Sequence, residues 1–157
     1  MPDTHRLEPG YAIAMQSVGL SVPDVLHRAG LPADLLNQIS PTVTTDGFFR
    51  LWNAIGIESG DRPIGLELGE MISTQGTKPP MLAALTSPNL TVAMTRLSRF
   101  KALIGPVSLT VEADDDLVLT CHGRGFPIPQ VLGLLELSYW LHLSRYATRT
   151  PVQMLRA

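Results

Sequence analysis

The chain has 157 residues, of which 45% are apolar and 17% charged, and its formal net charge is −2. This length and composition fit one folded domain with a sizeable core and exclude a disordered chain. The slight negative charge is also unlike the strongly basic surface that polyanion-binding domains carry.

The N-terminal sequence and the few metal-binding side chains limit the possible classes of protein further. No basic start precedes an apolar run of signal-peptide length, and no window reaches the roughly 20 apolar residues of a membrane span. Cys121 is the only cysteine, and the four histidines are scattered. We therefore expect a cytoplasmic protein with no disulfide, metal, cofactor or membrane partner.

Glycine and proline divide the first hundred residues into short predicted helices. Ser21 is expected to cap a helix that Gly30 ends, and Thr45 a longer helix that Gly60 ends. The longer helix carries an apolar stripe with the spacing of one buried helical face. The stripe consists of Phe48, Leu51, Trp52 and Ile55, and the predicted helices span residues 9–18, 21–30, 32–38, 45–60, 64–72, 80–86 and 91–104.

The hydrophobic period changes after Gly105. Apolar and polar residues alternate over 107–112 and again over 117–122, which predicts two half-buried strands joined by a turn. A long helix is predicted from about 129 to 147, and the last eight residues suggest the start of a third strand. The predicted fold is therefore α+β: a single domain over residues 1–157, with a helical N-terminal half and a small antiparallel sheet packed against the long C-terminal helix.

The segment SGDRPIGLELGEMIS raises the question of a phosphate-binding loop. Gly60 and Gly65 have half of the P-loop spacing, but Leu66 and Glu67 stand where lysine and serine or threonine are required. Gly65 and Gly69 lie four residues apart on one helical face. We therefore interpret them as a place where another element approaches closely.

With its flanks, this segment resembles the N-terminal effector-sensing domain, loosely labelled arabinose-binding, of a subgroup of AraC-type transcription regulators. The resemblance covers nearly the whole chain. It rests on the order and spacing of several short motifs: AGLP at 29–32, LW at 51–52, SGD at 59–61, GLELG at 65–69, SPNL at 87–90 and RLSRF at 96–100.

The resemblance implies a cytoplasmic bacterial transcription factor whose N-terminal domain binds a small effector or forms a homodimer. DNA would be bound by two C-terminal helix-turn-helix units, which this sequence does not contain. We therefore interpret the chain as an excised or truncated sensor domain. No residue suggests a sugar site, in spite of the family label.

Two alternative functions remain open at this point. Residues 21–39 have helix-turn-helix form, but the segment that would read DNA carries Asp34 and no lysine or arginine. An enzyme would need paired titratable groups in a cleft. The carboxylates at 114–116 sit at a predicted hairpin tip, and Cys121 alternates onto an apolar face, so catalysis is not expected.

The long C-terminal helix offers a candidate ligand site. Glu136 shares a face with apolar residues, where a carboxylate is costly unless it is paired. Its partner is expected to be Arg96 or a polar or cationic ligand, with the internal pair favoured. Arg96 lies at the margin of the apolar face expected for the helix over 91–104, which consists of Val92, Leu97, Phe100 and Leu103. On the opposite face of the C-terminal helix, Ser138, His142, Arg145 and Arg149 are expected to form a solvent stripe. The predicted ligand-binding residues, in a pocket between the helices and the sheet, are Trp52, Arg96, Phe100, Glu136 and Trp140.

Overall fold

The computed structural model describes residues 3–74 and 79–157, including all side chains except those of residues 79 and 80. Helices and two small sheets make up this part of the chain, which confirms the predicted α+β class. The helices are α1 (Tyr11–Ser17), α2 (Val22–Ala29), α3 (Thr45–Ser59), α4 (Ile64–Thr74), α5 (Pro79–Leu85), α6 (Leu90–Ile104) and α7 (Gln130–Thr148). The strands are β1 (Thr4–Arg6), β2 (Thr42–Thr44), β3 (Val107–Ala113) and β4 (Leu117–Gly123).

The predicted hairpin is present. Strands β3 and β4 pair antiparallel, with Val107 opposite Gly123 and Ala113 opposite Leu117. Val107 and Leu109 are buried, whereas the alternate side chains of both strands are exposed. One face therefore packs on the helices and the other faces solvent, as the alternation predicted.

The N-terminal half is not purely helical, which corrects the prediction. Strands β1 and β2 form a second antiparallel pair, with Thr4 opposite Thr44. At three residues each, these strands are too short for alternation to reveal them. The new strand also moves the cap of α3: Thr44, in extended conformation at the end of β2, accepts from the Gly47 amide, whereas the sequence indicated Thr45.

Two further predicted elements are wrong. The helix expected over 32–38 is reduced to a single 3-10 turn at Leu35–Asn37. The third strand expected near the C-terminus is not formed, and residues 149–157 have no regular structure. The Arg145 guanidinium donates to the Val152 carbonyl at 2.9 Å, so this segment turns back on the end of α7 instead of joining a sheet edge.

Two hydrophobic cores share the long helix α7. The larger core lies among α1 to α4, and the first turns of α7 supply Val131, Leu132 and Leu135 to it. The smaller core lies among α5, α6 and the hairpin, and later turns of α7 supply Trp140 and Leu143. Because α7 serves both, it holds the helical part and the hairpin part together.

The interpretation of the paired glycines as a close approach is confirmed, and the approaching element is α7. A Cβ atom added at Gly65 would lie 2.3 Å from the Val131 carbonyl oxygen, and one at Gly69 would lie 2.4 Å from that of Leu135. The two backbones are therefore in direct contact. We call this contact the glycine seam.

The glycine seam also corrects the predicted solvent stripe on α7. Ser138 is buried there, and its hydroxyl donates to the Leu66 carbonyl at 2.7 Å. His142 is half-buried, while Arg145 is exposed. The stripe was wrong because α4 lacks side chains at Gly65 and Gly69 and so covers a polar face of α7.

Candidate functional site

A cavity of about 570 Å³ lies between the two cores. Helices α1 and α3 to α7 contribute to its walls, which are mostly apolar and aromatic. This size and lining are typical of pockets for small molecules. The lining includes Tyr11, Ala14, Met15, Phe48, Trp52, Ile55, Leu68, Met71, Ile72, Met81, Leu97, Phe100, Lys101, Ile104, Leu132, Leu135, Glu136, Tyr139 and Trp140.

A buried ion pair forms the polar part of this lining. The Lys101 ammonium donates to both carboxylate oxygens of Glu136 at 2.6 Å, and both side chains are only 6% exposed. The Trp140 indole N–H donates to Glu136 Oε2 at 3.0 Å. Lys101 also lies 5.3 Å from the centre of the Trp140 ring, a cation–π distance. The carboxylate is thus paired and bonded, as a buried charge requires.

The negative charge of Glu136 acts on neighbouring acidic groups. Burial and, to a smaller extent, the Glu136 carboxylate together raise the pKa of Tyr139 to about 12. Burial is also the main reason that the pKa of Tyr11 lies above its ordinary value. The same two causes raise the pKa of Cys121 to about 11. Both phenols and the thiol therefore stay protonated at neutral pH.

Trp52 presents a polar atom that the protein does not satisfy. The residue is 6% exposed, and its indole Nε1 is buried with no hydrogen-bond partner among the described residues. Tyr11 packs edge-on against the indole at 5.9 Å between ring centres. The Trp52 side chain lies close enough to the Tyr11 hydroxyl to lower its pKa, against the larger effect of burial. Trp52 and Tyr11 both contribute to the lining of the cavity.

Four of the five predicted ligand-binding residues line the cavity: Trp52, Phe100, Glu136 and Trp140. Arg96 does not. Its guanidinium is exposed and bonds the Ala83 carbonyl at 3.2 Å and the Ser87 hydroxyl at 2.9 Å. The expected internal pair of Glu136 exists, but its partner is Lys101 and not Arg96.

Sequence reasoning missed Lys101 because it misplaced the buried face of α6. The expected face included Phe100 and Leu103, which are 37% and 75% exposed. The buried residues are Ala93, Met94, Leu97 and Lys101. Lys101 lies one turn after Leu97, so the spacing would have placed a lysine on the apolar face had that face been set by Met94 and Leu97.

The structure gives little support to the two alternative functions, direct DNA binding and catalysis. The segment 21–39 contains one helix and a 3-10 turn, so the second helix of a helix-turn-helix is not formed. The carboxylates at 114–116 are exposed at the hairpin tip. Within residues 3–74 and 79–157, no cluster of side chains could ligate a metal ion. In the same ranges, no helix combines the length and apolarity that crossing a membrane demands.

A comparison with protein families gives one match. The family described as the arabinose-binding domain of AraC transcription regulators, N-terminal, matches residues 19–157. No curated protein matches the chain. The matched range contains the glycine seam, the ion pair and Trp52, and it leaves out helix α1, which supplies Tyr11 and Met15 to the cavity.

Proposed function

We propose, because this chain belongs to the family of N-terminal arabinose-binding domains of AraC transcription regulators, that the cavity between its two cores is the site where it senses an effector. The family is a regulatory, ligand-binding one. The finer assignment is ours: a small molecule enters the cavity, and its binding controls a DNA-binding domain that follows this domain in the whole regulator.

The observation that carries the proposal is the cavity with the buried ion pair of Lys101 and Glu136 in its wall. Apolar walls of about 570 Å³ provide binding area, and the polar groups of Lys101, Glu136 and Trp140 converge at one place in them. A few oriented polar groups in an otherwise apolar pocket are typical of small-molecule sites. We include Trp52 and Phe100 in the proposed site, and we leave out Arg96.

We further propose a homodimer acting in the bacterial cytoplasm, with DNA bound only through the other domain. Sedimentation of the chain over a range of concentrations tests the dimer. The chain alone is expected not to bind DNA tightly, since its net charge is −2. Salt-sensitive, nanomolar retention on operator DNA would contradict that expectation.

The experiment for the site is a thermal-shift screen of small metabolites against three proteins. Ala14→Trp places a large ring in the cavity, whereas Ala102→Trp places the same ring on the exposed face of α6. A ligand of the cavity should raise the melting temperature of the wild type and of Ala102→Trp, but not that of Ala14→Trp. Equal shifts in all three proteins would move the site elsewhere.

A further inference from the structure

We propose that β4 pairs, along the edge that does not face β3, with the same edge of β4 in a second copy of this chain. The two hairpins then form one four-stranded antiparallel sheet across the dimer. This interface rests on the proposed homodimer and assigns the surface through which the two copies meet. The effector proposed for the cavity takes no part in it.

The outer edge of β4 lacks the features that usually protect a strand edge. In the part of the chain that the structure describes, this sheet has two strands, and β3 is the one strand or helix that packs extensively on β4. Natural edge strands are short or bulged, or they carry charged residues or proline. β4 has seven residues, LVLTCHG, with no Asp, Glu, Lys, Arg or Pro, and it pairs with β3 without a bulge. Such an edge is a template for a further strand.

The hydrophobic core is also incompletely closed on the β4 side of the hairpin. Two inward-facing residues of β3, Val107 and Leu109, are 3% and 7% exposed. The inward-facing apolar residues of β4 are only partly buried, and they are Leu117, Leu119 and Cys121. A strand added beside β4 therefore covers apolar area as well as pairing backbone groups, and both effects favour association.

A second copy of β4 fits this edge because an antiparallel pair of identical strands is self-complementary about a two-fold axis. With the axis at Thr120, the middle residue, all seven residues of the strand are paired. Leu117 then lies opposite Gly123 of the second copy, and Leu119 lies opposite Cys121. Directly opposite residues point to the same face of a sheet. The partly buried apolar residues of both copies therefore form one continuous strip on the inner face.

Charge complementarity supports the same register. Asp116 immediately precedes β4 and Arg124 immediately follows it, and both are exposed. Centring the pair on Thr120 places Asp116 of one copy opposite Arg124 of the other, and symmetry repeats this contact at the far end. Within one chain the Arg124 guanidinium lies 3.3 Å from the Asp3 carboxylate, but both side chains are largely exposed. Such a surface ion pair is weak, so it rearranges at little cost.

The first test exchanges the two charges and measures dimerisation by sedimentation equilibrium. Asp116→Arg alone or Arg124→Asp alone places like charges opposite each other twice in the dimer. We expect either change to raise the dimer dissociation constant roughly ten-fold at low salt. The double variant restores opposite charges and should return to within about two-fold of the wild type. Asp34→Arg, the same charge change at an exposed residue outside the hairpin, is the control and should leave the dimer unchanged.

The second test is independent of charge and uses disulfide cross-linking in a Cys121→Ala background, which removes the native thiol. Thr120→Cys places a thiol on the two-fold axis, where opposite Cα atoms lie about 4.5–5.5 Å apart, within the span of a disulfide. Thr110→Cys is the matched control, because Thr110 pairs with Thr120 from β3 and is exposed on the same face. Two strands separate it from its copy, a distance of about 14 Å. On non-reducing gels, only Thr120→Cys should give a covalent dimer.

The outcomes separate this interface from the proposed homodimer. A wild type that stays monomeric at every concentration would overturn both, while the cavity keeps its proposed role. A dimer that neither charge reversal weakens, or equal cross-linking of the two cysteine variants, would overturn the β4 interface alone. Leu103→Asp alters the exposed apolar face of α6, where Leu103 is 75% exposed. Loss of the dimer in that variant, with no effect of the charge reversals, would show that the copies meet through α6 instead.

Discussion

At the residue scale, burying the ion pair of Lys101 and Glu136 costs free energy, because both charges lose their hydration. Two charges have left water, and the protein compensates them with two ammonium contacts and the Trp140 indole. Such a pair contributes little net stability compared with apolar residues of the same size. Removing one partner, however, leaves the other charge buried without a counter-ion. The two partners should therefore behave as one unit in mutagenesis.

Glu136→Gln alone should lower the free energy of unfolding by roughly 3–5 kcal/mol, because Lys101 is left buried without its counter-ion. The double variant with Lys101→Met should recover most of that loss. Urea melts of the four members of this cycle give the coupling energy. Arg96→Met is the matched control, since Arg96 bonds only the Ala83–Ser87 turn in the described contacts, and it should be additive with Glu136→Gln. Coupling to Arg96 instead would contradict the assigned pair.

The thiol of Cys121 gives a pH dependence of known sign. Burial, helped by the Glu136 charge, raises its pKa from 9.0 to about 11. The folded state then holds the proton more tightly than the unfolded state does. Stability is therefore complete below pH 9 and is lost progressively as the pH rises from 9 to 11.

Thermal melts between these two pH values check that sign. Cys121→Ala should lose less stability over the window than the wild type, because no thiol is left to ionise. The pKa of Tyr139 is raised from 10.0 to about 12, so its own loss of stability begins near pH 10 and is common to both proteins. Only the difference between the two pH profiles therefore reports on the thiol. A wild type and a Cys121→Ala variant with parallel pH profiles would show that the thiol ionises as freely in the folded protein as in the unfolded chain.

At the scale of helices, the glycine seam predicts that stability depends on the size of the side chain at Gly65 and Gly69. Gly69→Ala should destabilise the protein by about 3 kcal/mol, because its new methyl group would meet backbone and force α4 and α7 apart. Gly133→Ala lies in α7 outside the glycine seam, meets nothing closer than a methyl group at 3.8 Å and should gain about 0.5–1 kcal/mol from helix propensity. Urea denaturation measures both, and equal effects would refute a backbone contact at Gly69.

The helices that could be predicted from the sequence are those with capping and terminating residues at their ends. Ser21 caps α2 by accepting from the Asp24 amide, and Gly30 ends it in the left-handed region at φ 61°, as the residues indicated. Strands β1 and β2 were missed because their pairing joins residues about forty positions apart in three-residue pieces. The 3-10 turn at Leu35–Asn37 shows a tertiary context overriding a weak local signal.

For the molecule as a whole, the two cores should open separately. The smaller core is covered by a two-stranded hairpin with one exposed face, and such hairpins are weakly stable by themselves. Amides of β3, β4 and α6 should therefore exchange hydrogen faster than those of α3, and a small molecule bound in the cavity should slow exchange on both sides of it. Hydrogen exchange measured by mass spectrometry tests this, and uniform protection would contradict it.

The site was predictable in outline and not in detail. A carboxylate on an apolar stripe pointed to Glu136, and the aromatic residues Trp52 and Trp140 followed from helical spacing. The identity of its partner depends on how far α6 is rotated about its axis, and a weakly amphipathic helix leaves that angle undetermined. The unpaired indole N–H of Trp52 depends on distances between helices, which no local pattern contains.

The cavity has one stiff wall and one compliant wall. On the stiff side, α7 rests on α4 backbone to backbone along the glycine seam, and Ser138 bonds Leu66 across it, so sliding or rolling of α7 meets hard contact at once. On the other side, α6 touches α7 at few points, chief among them Lys101 on Glu136. A molecule that enters should therefore displace α6 and the strand β3 that packs on it, while α7 stays in place. The proposed signal of effector binding would then pass through the hairpin and not through α7.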